Sequence, residues 1–443
     1  MQSKDIIEVL SPLNFWGSKQ ETGVRRDYYL DRIMQFSEAK DIAISVIGIR
    51  RCGKTTLTKQ YMKENIGKNL KDTQTLYINF EDPKFGPYLD TDFLDKIYDA
   101  YRTYVNKDDF CIIVLDEVQN LPGWEKWVRL MLEKKEKVKI IITGSSSKLI
   151  YSELSTVLTG RSLTIELSPL TFREFLFFKG LEIRDSDITV KASIIKKQLN
   201  EYMVFGGFPQ IVLEKEFLKT EILREIFYGI INKDIVNRYQ FQDSHLVRVT
   251  AELLINNFSS LTSANKLRNN LVLIIKRKLS PNLVVDIMKS FEDTYLMHFV
   301  PLFSKKIKEI RQYPKKVYCA DTGLINVAAL KYSENFGKLA ENIVAVYLIR
   351  NYGKDNIFYW RNLKQEEVDF LIKENLEVSQ LIQVCWNIDD EKTKKRETKA
   401  LLSAMDEFKL KEGIVLTEDH EAEEIIDDMK IRYTPIWKWM LEH

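Results

Sequence analysis

A short loop at residues 48–55 constrains this chain more than any other stretch of its sequence. It reads Gly48-Ile-Arg-Arg-Cys-Gly-Lys-Thr55, in which two glycines separated by four residues are followed by a lysine and a hydroxyl residue. An apolar run at 42–47 precedes the loop, and a helix-forming stretch that begins at Leu57 follows it. Because a phosphate-binding loop requires this order of strand, loop and helix, the pattern predicts a nucleoside triphosphate site.

Each residue type in the loop has a chemical task at such a site. Glycines let backbone N–H groups turn toward phosphate oxygens, and the first turn of the following helix adds its own N–H groups. Lys54 is expected to reach the β- and γ-phosphates of ATP, and the Thr55 hydroxyl to ligate Mg²⁺. A chance match is the alternative. The predicted nucleotide-binding residues are Gly48, Arg50, Arg51, Cys52, Gly53, Lys54, Thr55 and Thr56.

Two acidic residues follow the apolar run at 110–115, which predicts a strand buried on both faces. Open α/β sheets bind their ligands at the carboxyl ends of their strands. Asp116 is therefore expected to hold Mg²⁺ through water, and Glu117 to orient and polarise the water that attacks the γ-phosphate. The alternative is that the two acids only cap a loop.

A polar turn, Gly144-Ser-Ser-Ser147, follows the next apolar run at 138–143. A polar group at this place lies beside the phosphate loop and can sense the γ-phosphate. A serine-rich turn that only caps the following helix is the alternative. The strand-like runs alternate with helix-like stretches, which predicts an α/β fold with a parallel sheet covered on both faces.

Composition narrows the remaining choices. A chain of 443 residues predicts roughly two to four domains, and a net charge of +2 restricts any nucleic-acid-binding surface to a local patch. The four cysteines form no C-x-x-C pair, so buried thiols are expected and not disulfides or metal ligands. The start of the chain does not resemble a signal peptide, and no apolar run reaches transmembrane length, which predicts a cytoplasmic protein with no membrane partner.

Several further motifs are spaced along the chain. They read Tyr77-Ile-Asn-Phe-Glu-Asp, Leu115-Asp-Glu-Val-Gln, Ile142-Thr-Gly-Ser-Ser-Ser, Leu158-Thr-Gly-Arg and Phe205-Gly-Gly-Phe-Pro. Over nearly the whole chain, these motifs resemble a prokaryotic family of AAA+ ATPases whose C-terminal domain is related to restriction endonucleases. The resemblance implies the AAA+ strand order, a sensor role for Ser145 and Ser146, and an arginine that acts on a neighbouring subunit. Arg161 is the candidate for that arginine, and a structural role at a helix end is the alternative.

The core expected at 1–168 is followed by two regions of different pattern. Residues 169–242 predict a helical lid, interrupted at Gly206-Gly-Phe-Pro209 and carrying Asp234 and Arg238 as a surface helix pair. Residues 243–330 predict helix, helix, helix and two short strands, which is the order of a winged helix. A basic run at 305–316 falls at the expected wing, where it contacts DNA phosphates or forms a solvated lysine-rich loop.

Residues 331–443 predict a separate α/β domain whose order of elements resembles the PD-(D/E)XK nuclease core. In that family a helix glutamate, a strand aspartate and a [DE]-x-K pair converge on metal ions. Glu341 and Asp369 match the first two positions, but the third reads Gln383-Val-Cys385, so one negative and one positive charge are missing. Lys373, Lys394 and Lys395 are candidates for a lysine that has moved. The departure favours a nuclease-derived binding or oligomerisation module over an active nuclease.

The predicted function is Mg²⁺-dependent ATP binding and hydrolysis, coupled to movement of the winged-helix and nuclease-like regions on DNA or on a DNA-associated partner. The alternatives are an ATP-regulated metal-dependent DNA nuclease and a slow ATP-dependent binding switch without motor activity. A homo-oligomer is expected if an arginine acts in trans. The predicted catalytic residues are Glu117, Lys54, Ser145 and Arg161. The predicted metal ligands are Thr55 and Asp116 in the ATPase, and Glu341 and Asp369 in the nuclease-like site.

Overall fold

The computed structural model describes residues 1–146, 158–329 and 335–442. The chain divides into two compact units, Met1–Ser168 and Pro169–His443. The regions predicted as helical lid, winged helix and nuclease-like domain all lie in the second unit, and the expected boundary at residue 330 lies outside the described residues. Within the described ranges, no helix combines the length and apolar character needed to cross a membrane.

A five-stranded sheet with the order β2–β3–β4–β1–β5 forms the centre of the first unit. Every pairing in it is parallel. The predicted parallel α/β sheet is thereby confirmed, in the strand order that the AAA+ resemblance implied. The strands are β1 (Ala43–Ile47), β2 (Thr75–Asn79), β3 (Cys111–Asp116), β4 (Val138–Gly144) and β5 (Ser162–Glu166).

Helices alternate with these strands. Trp124, Trp127 and Met131 recur at helical spacing and are all buried, so the aromatic residues of this helix belong to the core. The helices of the first unit are α1 (Ser3–Leu10), α2 (Asp27–Ser37), α3 (Lys54–Lys68), α4 (Thr91–Tyr104) and α5 (Trp124–Glu133).

The free edge of β2 is covered by the segment that follows α1. The buried side chain of Asn14 bonds the backbone of Tyr77 in both directions: its Oδ1 accepts from the N–H at 2.6 Å and its Nδ2 donates to the carbonyl at 2.9 Å. Trp16 Nε1 donates to the carbonyl of Thr75 at 3.0 Å. An exposed strand edge invites pairing with other chains, and these side chains satisfy its polar groups.

The second unit begins with helices. Gly206, which interrupts them as predicted, has a φ of +73°, and a Cβ atom there would lie 1.8 Å from Asp321 Oδ1. Asp321 accepts from the N–H of Gly207 at 2.7 Å, so the turn requires glycine in order to bring its backbone onto this carboxylate. The elements are α6 (Phe172–Phe178), α7 (Ala192–Phe205), α8 (Pro209–Leu213), α9 (Glu216–Gly229) and a π-helix (Ile230–Asn237).

The pair predicted within this π-helix forms, but it does not lie at the surface. Arg238 Nη2 is 3.3 Å from Asp234 Oδ1, and the side chain of Asp234 is only 1% exposed. The helical spacing predicted the contact correctly, whereas the burial depends on packing that the local sequence does not reveal.

A small antiparallel sheet with the order β6–β8–β7 follows. In the region around this sheet, the side chains of Asp243 and Ser263 accept hydrogen bonds from backbone N–H groups at the starts of the first two helices. The order contains the three predicted helices and two predicted strands, with one additional short strand and two additional short helices. The elements are α10 (Ser244–Asn256), β6 (Ser260–Thr262), α11 (Ala264–Ile275), α12 (Pro281–Asp293), β7 (Met297–Val300), α13 (Ile307–Gln312), β8 (Lys315–Cys319) and α14 (Thr322–Ala328).

A mixed six-stranded sheet with the order β13–β14–β12–β11–β10–β9 completes the unit. Strands β9, β10 and β11 are antiparallel neighbours, whereas β12 pairs in parallel with β11 and β14. The elements are α15 (Phe336–Tyr352), β9 (Ile357–Arg361), β10 (Glu367–Glu374), β11 (Glu377–Val384), α16 (Glu391–Phe408), β12 (Glu412–Thr417), β13 (Ala422–Ile426), β14 (Met429–Pro435) and α17 (Ile436–Glu442).

Backbone contacts join the small sheet to the large one. The N–H of Phe303 donates to the carbonyl of Tyr359 in β9 at 2.8 Å. The buried amide of Asn342 in α15 bonds both the N–H and the carbonyl of Cys319 in β8. These bonds explain why the two regions form one compact unit.

Candidate functional site

The loop at 48–55 follows the buried strand β1, and its last two residues, Lys54 and Thr55, are the first two residues of α3. Gly48 has a φ of +151°, and a Cβ atom on it would lie 2.0 Å from the carbonyl oxygen of Leu167. Gly53 caps α3 in the left-handed region with a φ of 103°. Only glycine allows these two backbone positions, so the loop is held against the sheet while α3 begins directly behind it.

Lys54 folds back over the loop. Its Nζ donates to the carbonyls of Gly48 at 3.0 Å and Ile49 at 3.3 Å, and it lies 3.7 Å from Glu117 Oε1. The side chain is only 4% exposed. The contacts hold a buried ammonium group at the mouth of the loop.

Asp116, at the end of β3, receives three hydroxyl groups. Thr55 Oγ1 donates to its Oδ2 at 2.7 Å, and Tyr77 Oη donates to the same oxygen. Thr143 Oγ1 donates to Oδ1. Burial and the nearby Glu117 raise the pKa of Asp116, while the three hydroxyl hydrogen bonds act to lower it. The hydroxyl groups thus favour the ionised carboxylate at a buried position.

Glu117 has an unusual backbone for a residue with a side chain, with a φ of +52°. Its N–H donates to Thr143 Oγ1 at 3.0 Å. Its Oε2 accepts from Gln119 Nε2 and, at 3.4 Å, from Ser145 Oγ. A non-glycine residue held in this region costs about 1–3 kcal/mol and is found more often at functional sites. We name Lys54, Thr55, Asp116 and Glu117 the phosphate-loop site.

The serine turn reaches this site with its first residue. Ser145 contacts Glu117, whereas Ser146 Oγ is buried without a hydrogen-bond partner among the described residues. Ser147, the last serine of the predicted turn, lies outside the described residues. The structure thus brings Ser145 to the predicted site.

The remaining loop residues differ in accessibility. Arg50 forms an ion pair with Glu81 at 2.9 Å, and Arg51 is exposed with a φ of +69°. Cys52 is fully buried, and burial raises the pKa of its thiol. Thr56 is exposed on the first turn of α3. Arg51 and Thr56 are therefore exposed, whereas Arg50 is partly buried and Cys52 packs inward.

Sequence analysis missed a support that precedes α2. Arg26 is 4% exposed, and its Nη1 donates to the carbonyls of Cys52 at 3.1 Å and Ser168 at 3.0 Å. Gln60 Nε2 in α3 donates to the carbonyls of Thr22 and Val24, which aligns the same segment along α3. The sequence Gly23-Val-Arg-Arg offered no spacing that would have distinguished this arginine from its exposed neighbour.

Arg161 lies far from the loop in its own subunit. The N–H of Ala43, at the first residue of β1, donates to the carbonyl of Arg161, whereas the phosphate loop follows the last residue of β1. Its Nη1 is 3.0 Å from Glu133 Oε1, and its side chain is 42% exposed. Arg161 is therefore at the opposite end of the sheet from Lys54.

The predicted nuclease-like carboxylates do come together, around a lysine that sequence analysis placed elsewhere. Lys316 Nζ lies 2.7 Å from Asp369 Oδ1, 3.0 Å from Glu367 Oε1 and 3.2 Å from Glu341 Oε1. Lys316 was grouped with the exposed basic run at 305–316, but it points inward from β8 and is 3% exposed. We name these four residues the Lys316 cluster.

Two of the three lysines predicted as replacements form other ion pairs. Lys394 is 2.5 Å from Glu424, and Lys395 is 3.5 Å from Glu391. Cys385 is buried, and burial raises the pKa of its thiol to about 11, so it stays a neutral thiol. The ammonium group near Asp369 thus comes from a different region of the chain.

Comparisons with known families divide the chain into three matched stretches. Residues 40–176 match the family described as AAA domain. Residues 196–335 and 336–439 match two different families, each described as a domain of unknown function.

Relatives extend over almost the entire chain. An uncharacterized protein of Methanocaldococcus jannaschii is 36% identical over 408 residues, covering 90% of this chain and 88% of the relative. An uncharacterized protein of Haemophilus influenzae is 28% identical over 415 residues, covering 94% of this chain and 98% of the relative.

Solved structures show a more distant likeness. Cdc6p from Pyrobaculum aerophilum is 13% identical with a TM-score of 0.32, covering 64% of this chain and 90% of that one. The ADP form of the ORC2 protein from Aeropyrum pernix is 14% identical with a TM-score of 0.32, covering 62% and 84%.

Proposed function

Because the chain belongs to a prokaryotic family of AAA+-type ATPases, we propose that it binds ATP with Mg²⁺ at the phosphate-loop site and hydrolyses the γ-phosphate. One observation carries this proposal. The start of α3 and the end of β3 bring a buried ammonium group, a hydroxyl and two carboxylates together, with Thr55 Oγ1 only 2.7 Å from Asp116 Oδ2. These are the groups that phosphoryl transfer requires.

Mg²⁺ fits the donors at this site. The Thr55 hydroxyl and the Asp116 carboxylate are hard oxygen ligands that already touch. In the described parts of the chain, no group of three or more His, Cys, Asp or Glu side chains is arranged to hold a metal alone. This agrees with an ion that binds together with a triphosphate, since Mg²⁺ usually takes one or two protein ligands plus phosphates and water. When bound, Mg²⁺ neutralises charge on the β- and γ-phosphates.

The residues of the site then divide the work. Lys54 exchanges its contacts with the Gly48 and Ile49 carbonyls for phosphate oxygens, which keeps the ammonium group satisfied in both states. Glu117 accepts a hydrogen bond from the attacking water and orients it toward the γ-phosphate. Ser145 donates a hydrogen bond to Glu117 and acts as the sensor of the γ-phosphate.

ATP binding by the full chain tests the proposal. Lys54→Ala is expected to abolish binding of a fluorescent ATP analogue, because the buried cation that faces the phosphates is lost. Lys63→Ala, an exposed lysine on the same helix, is the matched control and should bind as the wild type does. Unchanged affinity in Lys54→Ala would contradict the assignment.

We extend the proposal to DNA, or a DNA-associated partner, as the object of the second unit. The order α10–β6–α11–α12–β7–α13–β8 with its antiparallel sheet supports a winged-helix assignment, in which α13 lies in the connection between the last two strands. Lys305, Lys306 and Lys308 are exposed in the connection between β7 and β8, where a wing contacts phosphates.

Fluorescence anisotropy with duplex DNA tests this part. Reversing the charges of Lys305, Lys306 and Lys308 should weaken binding and reduce its salt dependence, because each phosphate contact releases counterions. Reversing Lys395 and Lys409, two exposed lysines elsewhere in the unit, provides the control. An equal loss of DNA affinity in both variants would indicate only nonspecific electrostatic attraction.

A slow binding switch is the second candidate, and the contacts of Glu117 favour it. Gln119 and Ser145 both donate to Glu117 Oε2, so an oxygen of the carboxylate that must polarise water is already engaged. Turnover with and without DNA separates the candidates. Acceleration by DNA supports a motor, whereas slow turnover with retained ATP that DNA leaves unchanged supports a switch.

We further propose that Arg161 acts on the nucleotide of a neighbouring subunit. Its exposure and its distance from its own loop support this role. Arg161→Ala and Glu117→Gln proteins should each be inactive alone and regain turnover when mixed, because mixed contacts then contain one complete site. Arg129→Ala is the control, since Arg129 pairs with the same Glu133 carboxylate at 2.8 Å. Measuring mass with and without ATP establishes whether subunits associate.

A further inference from the structure

The Lys316 cluster joins two sheets through one ammonium group. Lys316 extends from β8 of the small sheet, whereas Glu367 and Asp369 lie on β10 of the large sheet and Glu341 lies on α15. The three carboxylates surround Nζ at 2.7 to 3.2 Å. Of the three N–H donors of the ammonium group, the hydrogen bonds to Glu341 and Asp369 engage two, and Glu367 adds an ion pair.

Asp369 has both carboxylate oxygens engaged. Its Oδ1 accepts from Lys316, and its Oδ2 accepts from the N–H of Val384 at 2.9 Å. Gln383 turns its Oε1 to the N–H of Asp369 at 3.0 Å and its Nε2 to Glu397 at 2.5 Å. The carbonyl oxygen of Gln383 is thus bonded to backbone, and the centre of the cluster is filled by Nζ.

A divalent ion does not fit this arrangement. Mg²⁺ needs near-octahedral oxygen ligands at about 2.0–2.1 Å, and the space that it would take is held by Lys316. Among the described residues, no group of three or more His, Cys, Asp or Glu side chains is placed to hold a metal ion. The three carboxylates at 2.7 to 3.2 Å from Nζ compensate the charge of the Lys316 ammonium group.

The charges of the surrounding cleft agree with a site that is already neutralised. The cleft has a volume of about 660 Å³ and is lined by equal numbers of basic and acidic side chains. The basic residues are Lys316, Lys338, Lys364, Arg396 and Lys399, and the acidic residues are Glu341, Glu366, Glu367, Asp369 and Glu397. A divalent cation that entered this cleft would therefore meet no net negative charge.

We propose that Lys316 is the resident cation of this site, so that the chain's own ammonium group takes the place of a divalent metal. The proposal accounts for the first departure of the motif. Gln383 in place of an acid removes one negative charge, which matches the exchange of a doubly charged ion for a singly charged one. Cys385 in place of lysine is a separate departure, because one ammonium group does not replace both the metal ion and the lysine of the motif.

The test counts bound Mn²⁺ by electron paramagnetic resonance in the full chain without nucleotide. Wild type and Asp369→Asn should bind equal amounts, because the cluster holds no metal. Lys316→Gly should bind one additional Mn²⁺ per chain, and Lys316→Gly/Asp369→Asn should lose it again. Any Mn²⁺ at the phosphate-loop site is common to all four proteins and cancels in the comparison.

Two results would overturn the proposal. One is loss of a bound Mn²⁺ when Asp369→Asn is made in the wild type, and the other is a folded Lys316→Gly protein that gains no metal. Lys316→Gln serves as a second variant that fills the space without charge. If neither variant folds alone, the yield of folded protein decides: a yield that rises with Mn²⁺ supports the proposal, and a yield that Mn²⁺ leaves unchanged overturns it.

Discussion

The phosphate-loop site and the Lys316 cluster both place a buried lysine beside acidic side chains, yet they hold that lysine differently. Lys54 contacts two backbone carbonyls and lies 3.7 Å from Glu117. Lys316 is enclosed by three carboxylates at 2.7 to 3.2 Å. The side chains of both lysines are 4% exposed, so burial does not distinguish them.

The difference indicates what allows a buried ammonium group to change its contact partners. A cation that rests on neutral carbonyls gains attraction when it moves to a triphosphate, because a full negative charge replaces partial ones. A cation between three carboxylates would leave uncompensated buried charges behind, which costs several kcal/mol. We therefore expect Lys54 to change partners during function and Lys316 to stay in place.

Replacing each lysine with methionine is the most direct test of this difference between the two sites. Lys316→Met should lower the free energy of unfolding of the second unit by about 3–5 kcal/mol, because three carboxylates lose their cation. Lys54→Met should cost the first unit only about 1–2 kcal/mol, since it leaves backbone carbonyls unsatisfied. Hydrogen exchange measured separately in β10 and in β1 reports the two units.

The two variants should also separate in function. Lys54→Met is expected to abolish ATP binding, whereas Lys316→Met should bind ATP as the wild type does in conditions where it is folded. Equal destabilisation by the two substitutions would show that the lysines are held alike and would remove the basis of the comparison.

Glu117→Gln sharpens the description of the phosphate-loop site. The amide keeps the shape but cannot polarise water as a carboxylate does, so turnover should fall about 10²–10³-fold while ATP remains bound. Phosphate release and retained nucleotide are measured on the same sample. Glu136→Gln, at an exposed position in the same unit, is the control. Normal turnover in Glu117→Gln would move the water-orienting role to another residue.

Most of the phosphate-loop site was predictable from sequence because its groups follow one another on the chain at fixed spacing. The loop directly follows β1, and Asp116 and Glu117 directly follow β3. The sequence did not predict that Tyr77 and Thr143 donate hydrogen bonds to Asp116, although both lie in strands that neighbour β3. The rule that polar groups at adjacent strand ends converge would have found Thr143 at the end of β4.

The second unit shows where sequence reasoning stops. Glu341 and Asp369 were identified because they lie on a helix and a strand of one recognisable order. Lys316 reaches them from a strand more than fifty positions before Asp369, and its neighbours Lys315 and Pro314 predict an exposed connection. Strand β13 was not predicted, because its sequence Ala-Glu-Glu-Ile-Ile does not alternate between polar and apolar residues. Long-range packing decides both outcomes, and local patterns do not contain it.

Tyr77→Phe tests how the hydroxyl groups hold Asp116 ionised. Losing one hydrogen bond to the charged carboxylate raises its pKa further. Because ionised Asp116 is the form that binds Mg²⁺, the acidic limb of the kcat/KM profile should move to higher pH. Tyr101→Phe is the matched control, since that buried hydroxyl donates to the Thr73 carbonyl at 2.6 Å. An unmoved profile would show that Thr55 and Thr143 suffice.

Arg50 extends the comparison to a cation that is only partly buried. Its ion pair with Glu81 at 2.9 Å has side-chain exposures of 15% and 38%, so solvent weakens the pair and it contributes at most about 1 kcal/mol to stability. If Arg50 changes partners as we expect of Lys54, Arg50→Ala should weaken ATP binding about 3–10-fold, whereas Glu81→Ala should not weaken it, because it frees the arginine for phosphate. Titrations with ATP at low and high salt measure both. Equal weakening by the two variants would mean that the ion pair shapes the loop, and Lys54 would then be the residue whose exchange of partners admits the nucleotide.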